Sequence, residues 1–349
     1  MAERDYLPAI DAAKAIGISL VVLGHSPGLP REAVNLIFSF HMPLFFFLSG
    51  LLHPPASSHA RAGEMLARRA RALLVPYLFF FALSLAYWLA TRHLGDRAAK
   101  FEGVSVADAL MGLVTGRSSD LFVNPTLWFL PCLFVCTVLY VPLRRRLPAP
   151  AVMVMAATVA ALWTAFDGWR VRPPWGLDIA WVALVFYAAG DAVRGTRWAT
   201  GRPSGAALAL LPLAALAWLL AALQLGRVDL AQANFGGTFG LYLLTAFLGI
   251  AMVMLASRLL PPHPVLRWLS AHTLIIFPLH TLLINFASGA LKFLQLGGDW
   301  TAHHGWALVF FGWAMLGCLP AAALLTRRLP WLLGRGRGRG RPALSGARP

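Results

Sequence analysis

Charge is scarce in this chain. Of its 349 residues, 13% are charged and 58% are hydrophobic, where a soluble domain is about a quarter charged and about half apolar. That shortage excludes a water-soluble globular fold, because so much apolar surface needs lipid to cover it. Acidic residues are the scarcest, 14 against 30 Lys and Arg, and the net charge is +16. Such a balance would suit nucleic acid only if the basic residues gathered on one soluble face, and their positions say otherwise. Cysteine is almost missing. Cys132, Cys136 and Cys318 all fall inside apolar segments without metal-ligand spacing and read as small buried hydrophobes. The opening Met-Ala-Glu-Arg-Asp lacks the basic stretch and small-residue cleavage site of a signal peptide, so the first helix is expected to stay in the mature protein. Short segments of alternating hydrophobicity are absent, which removes a membrane β-barrel. Internal repeats are absent too, which counts against an inverted-repeat transporter.

What is present is a succession of long apolar runs. Spanning a bilayer takes about 20 mostly apolar residues, and ten segments qualify: 9–27, 34–53, 72–91, 126–143, 149–166, 175–193, 205–225, 238–257, 268–287 and 305–326. The expected fold class is an all-α integral membrane protein of about ten transmembrane helices, one membrane domain over 1–330. Orientation follows from Lys and Arg in the connections. With the N-terminus in the cytoplasm, 20 of them lie inside and nine outside, Lys14 being within a span. Both termini are therefore expected in the cytoplasm. The Gly/Arg-rich tail, 331–349, is expected to be disordered on anionic lipid, with no nucleic-acid partner. The longest outside connection, 92–125, has an apolar middle at Val104 to Gly116 and is long enough to be functional.

Ionisable residues inside spans cost about 2.5–3.5 kcal/mol each on insertion scales and usually face a cavity or a partner. The first span carries Asp11, Lys14 and His25. Asp11 and Lys14 are three apart and can pair. Lys14 and His25 are eleven apart, so they project in nearly the same direction about 16 Å apart along the axis. The second span brings Phe40-His41-Met42-Pro43 and then Phe45-Phe46-Phe47-Leu48-Ser49-Gly50, with His41 at the depth of His25. No carboxylate or thiol joins the two histidines, so no metal is expected. His272 and His280 lie in the ninth span, the first suited to the interface and the second deeper. The plain structural readings stand beside these. Lys14 can snorkel to the inner headgroups, His25 can mark the outer interface, and Ser49 beside Gly50 suits close helix packing.

Together these segments resemble the acyltransferase 3 family of membrane acetyltransferases, most nearly its fucose 4-O-acetylase-like and exopolysaccharide acetyltransferase branch. The family opening of Asp, then Arg or Lys, ten residues and His is matched by Asp11, Lys14 and His25. Its second-span pattern is matched from Phe40 to Gly50. An arginine-rich inner loop leading to Pro-Tyr is matched by Arg68, Arg69, Arg71, Pro76 and Tyr77, the fourth-span opening by Trp128-Phe129-Leu130, and a late histidine by His280. Lys14 departs from the commoner Arg, keeping the charge and losing the planar fork. The soluble hydrolase-like domain that some relatives carry is not expected within these 349 residues.

The resemblance implies O-acetylation of a sugar hydroxyl from acetyl-CoA as co-substrate, with no bound cofactor, in the bacterial inner membrane. The acceptor would be a lipid-linked or nascent surface glycan. A sugar hydroxyl is a poor nucleophile and gains from a base that titrates near neutrality, which His25 can supply. Lys14 would bind the donor or organise the pocket, and His41 would orient the pocket. Arg68, Arg69, Arg71 and Ser49 would serve the donor, and Trp128 and His280 the acceptor. Topology alone also explains the arginines, and the outer aromatic belt would explain Trp128. A glycolipid transporter without acyl chemistry would use intramembrane Lys and His equally.

Overall fold

The computed structural model describes residues 8–54, 62–166, 168–196, 205–296 and 303–334. Among them there are thirteen α-helices and no strand, only an isolated bridge between Asp229 and Asn234. The helices are α1 (Pro8–Gly24), α2 (Arg31–Phe38), α3 (His41–Leu51), α4 (Ala62–Thr91), α5 (Asp96–Lys100), α6 (Val106–Thr115) and α7 (Phe129–Arg144). After them come α8 (Ala149–Ala165), α9 (Leu177–Ala192), α10 (Gly205–Leu225), α11 (Phe239–Ser257), α12 (Pro264–Phe293) and α13 (Gly305–Arg327). Each of the ten expected segments carries helix. Six stretches among the described residues are long and apolar enough to cross a membrane: 31–51, 62–91, 125–144, 239–257, 264–293 and 305–327.

Three features differ from the expectation. The second span is broken into α2 and α3 at Ser39 and Phe40, where Phe40 leaves helical geometry (φ −146°, ψ −16°). Pro43 has no N–H to give the Ser39 carbonyl, so continuing the helix would gain little there. The break is held from outside, since the Phe40 ring meets Trp218 of α10 edge-on at 5.4 Å and Trp218 Nε1 donates to Ser39 Oγ at 3.2 Å. Secondly, Arg68, Arg69 and Arg71 lie on α4 itself rather than in a loop, because Ala, Glu, Met, Leu and Arg carry the helix on from the apolar run. Thirdly, the folded chain continues to Gly334: Pro330–Leu333 makes a 3-10 turn packed on α4 and α13, with Leu333 buried. The rest of the Gly/Arg tail, 335–349, lies outside the described residues.

The centre of the bundle is α9, thirteen of whose sixteen residues are buried against α3, α7 and α8. Its approach to α3 depends on two glycines. A Cβ on Gly50 would lie 1.8 Å from the Tyr187 carbonyl oxygen, and one on Gly190 would lie 2.0 Å from that of Phe47. Around this centre α1 packs on α12, α11 and α3. The outer face of α10 leaves Leu210, Leu213, Leu216, Leu220 and Leu223 exposed, and α13 does the same with Leu308, Val309, Leu316 and Leu324. Apolar surface of this extent is covered by lipid or not at all. The long connection 92–125 is structured: Ser105 and Asp108 form a capping box at the start of α6, and Gly116 ends it in left-handed geometry. Leu110, Met111 and Val114 of α6 are exposed.

Candidate functional site

Three histidines are held by the same local device, and two of them, His25 and His41, line a common cavity. His25 follows the last residue of α1 and its Nδ1 lies 2.8 Å from the Val21 carbonyl oxygen. His41 opens α3 with Nδ1 2.9 Å from the Ile37 carbonyl, and His280 sits in α12 with Nδ1 3.1 Å from that of Ile276. A carbonyl only accepts, so each Nδ1 carries the hydrogen and donates, and each Nε2 keeps a lone pair. The His25 and His280 rings meet edge to face at 5.0 Å. Phe38 bridges His25 and His41, at 5.7 and 4.7 Å from their centroids. His280 Nε2 is buried with no hydrogen-bond partner among the described residues. His25, Phe38 and His41 line a cavity of about 360 Å³ with Trp128, Phe277, Thr281 and Asn285, a volume at the small end of ligand pockets; His280 lies behind His25. Among the described residues no three His, Cys, Asp or Glu side chains are grouped to hold a metal ion.

Trp128 is not part of an outer aromatic belt. It is 7% exposed and packs against Phe46 and Phe129 at 6.4 and 6.2 Å, so its ring is a wall of the cavity. The structure thus brings together His25, His41, His280 and Trp128. It leaves the remaining expected residues elsewhere. Lys14 is half-buried on α1, three turns from His25, and the charges acting on it are those of Asp11 and Arg69. Asp11 forms no ion pair with Lys14 among the described residues; its carboxylate accepts from Ser270 Oγ at 2.5 Å. Arg69 is the arginine turned inward, while Arg68 and Arg71 are exposed. Ser49 Oγ donates to the Phe45 carbonyl of its own helix at 2.7 Å.

Several residues of the site were not singled out by the sequence. Asn124 is 1% exposed and fully engaged. Its amide donates to Ser84 Oγ at 3.1 Å and to the Pro278 carbonyl at 2.8 Å, and its oxygen accepts from Thr126 at 2.7 Å and Thr281 at 3.0 Å. That network fastens the 92–128 segment to α12 at Pro278 and Thr281, on either side of His280. The outer connections also bring Lys100, Ser118 and Asp229 to the cavity. Burial lifts the Asp229 carboxyl above the ordinary carboxylate range. At the opposite end a second polar cluster joins α3, α7 and α9. His53 Nδ1 lies 2.8 Å from Tyr187 Oη, Tyr140 Oη donates to Asp191 at 2.6 Å, and Arg144 and Arg194 pair with Asp191 at 2.8 and 2.6 Å. The 92–125 loop had stood out by length, but no periodicity pointed to Asn124 or to the Asp191 cluster.

Two ends of one bundle therefore carry different polar groups, an imidazole-lined cavity at one and inward-facing cations at the other. No curated protein and no solved structure matches the chain. The model of the acyltransferase domain of acyltransferase 3 matches residues 7–326, so the chain belongs to that family and is a membrane acyltransferase.

Proposed function

We propose that the protein transfers an acetyl group from acetyl-CoA to a sugar hydroxyl of a surface or lipid-linked glycan, with His25 as general base. The observation that carries this reading is the cavity that His25 and His41 line beside Trp128, each ring held with Nε2 as a proton acceptor, with His280 packed against His25. An aromatic wall suits a sugar face, and Asn285 and Thr281 offer hydroxyl partners. As the hydroxyl oxygen attacks the thioester carbonyl, its proton moves to His25 Nε2. The C–S bond breaks and the proton then passes to the leaving thiolate, which restores the neutral imidazole. The donor approaches from the end where Lys14 and Arg69 face inward, so those two, rather than the exposed Arg68 and Arg71, meet its phosphates. The reading includes ten spans in a bacterial inner membrane with both termini in the cytoplasm.

The test is glycan ester content and CoA thiol release in membranes holding wild type or His25→Ala. Removing a positioned base costs about 10²–10⁴-fold in rate, so transfer should fall by that factor while protein level and acetyl-CoA binding stay normal. His25→Gln should fail equally, since an amide cannot take up the proton. Wild-type ester content from a well-expressed His25→Ala protein would reject the base and leave a transporter as the better reading.

A further inference from the structure

The cavity has one carboxylate on its wall, Asp229, and its placement is built rather than incidental. Asp229 starts a short hairpin in the connection between α10 and α11. Its N–H donates to the Asn234 carbonyl at 2.8 Å and its carbonyl accepts from the Asn234 N–H at 3.0 Å, closing a loop whose middle is the 3-10 turn Leu230–Gln232. Ala233 takes left-handed geometry, φ 55°, to complete it. The hairpin is then tied to the core. Arg172 donates through its terminal nitrogen to the Ala231 carbonyl at 2.9 Å and through Nε to Asp178 at 2.5 Å. Asp178 opens α9 and its side chain is 1% exposed. Arg117 of the other outer loop donates to the Arg172 carbonyl at 2.9 Å and pairs with Asp120 at 2.7 Å. The rigid central helix thus fixes the loop that carries Asp229.

The charge that acts on His25 is that of Asp229. The other titratable groups around this imidazole are His41 and His280, with Lys100 on the wall and Arg227 acting on Asp229 itself. We propose that Asp229 is the counter-charge for the imidazolium that His25 becomes during transfer, and that Arg172 is the positioning residue that holds it there through Ala231. The proposal rests on His25 being the base. A fixed carboxylate facing a base that becomes cationic stabilises the charge as it develops and needs no reorganisation at that moment.

The experiment is steady-state kinetics of acetyl transfer by the full chain in membrane vesicles, varying acetyl-CoA and acceptor separately. Asp229→Asn should lower kcat about 10–10²-fold with both KM values within about threefold, because the lost interaction exists only when His25 is charged. Asp229→Glu should recover much of the loss. Arg172→Lys, which keeps a charge beside Asp178 and loses the fork that also reaches Ala231, should lower kcat by a smaller factor with KM unchanged. That variant carries the test if Asp229→Asn accumulates poorly. Unchanged kcat in Asp229→Asn, or a loss that appears only in KM, would overturn the proposal. An active His25→Ala enzyme would overturn the base assignment instead, so the two failures are distinguishable.

Discussion

At the residue scale the site depends on polar groups that are satisfied without water. Asn124 engages four partners from three segments, and in an apolar interior each of those partners needs it as much as it needs them. Asn124→Ala leaves the Pro278 carbonyl and three hydroxyls each short of a bond, and each buried group left unmade costs about 1–3 kcal/mol. The variant should unfold at lower temperature in detergent and lose acetyl transfer through displacement of Trp128 and Thr281. Thr281→Val, which removes one bond, should show a milder loss. An Asn124→Ala protein as stable as wild type would mean that the network contributes nothing. Three of these four partners lie 40 to 157 positions away in the chain, which is why no reading of spacing could find the network. The histidines were legible for the opposite reason. An ionisable ring in an apolar run is expensive wherever it is, so His25, His41 and His280 marked themselves.

At the element scale, helices were legible and their interruptions were not. Apolar runs announced all ten segments, but the break at Phe40 depends on Trp218 of α10, a contact that no local pattern encodes. The break has a consequence for the site, because it lets His41 begin α3 while its Nδ1 donates to Ile37 of α2. The α3–α9 contact has a similar status. Gly50 was readable as a close-packing residue, and its partner Gly190 was not. Gly50→Ala places a methyl against the Tyr187 carbonyl with backbone, not a flexible side chain, in the way. Overpacking of this kind costs about 1–3 kcal/mol and more where backbone must move. The expected result is reduced protein level and a lowered unfolding temperature, together with loss of the His53–Tyr187 bond that closes the inner end. An equally stable Gly50→Ala protein would show that α3 and α9 can separate freely.

At the scale of the whole molecule, two independent features divide the bundle into the same two ends. The cavity is lined from the end of α1, the 92–128 segment, the 226–238 connection and the middle of α12. Arg69, Arg144, Arg194, Arg258 and Arg267 all belong to the other end, which the excess of positive charge leads one to expect in the cytoplasm. Four of the ten segments, α1, α8, α9 and the described part of α10, do not qualify as spans by their own length and composition. For α9 the reason is physical. A helix wrapped by protein need not match the bilayer thickness or exclude charge, and α9 carries Asp178 and Asp191 at its two ends, each paired with arginine. Length and composition alone therefore do not mark such a helix, and its place in the ten-span reading rests on arginine asymmetry. The consequence is testable with topology reporters. Fusions after residues 146 and 262 should read cytoplasmic, and a fusion in α6 at residue 110 should read external. Residue 110 is the decisive site, because its loop supplies Lys100 and Ser118 to the cavity. On the proposed function, an external reading opens the histidine cavity toward an acceptor outside and leaves Lys14 and Arg69 toward a donor in the cytoplasm. A cytoplasmic reading at 110 would put donor cations and acceptor cavity on exchanged sides, and transfer across the membrane in the proposed direction would be ruled out.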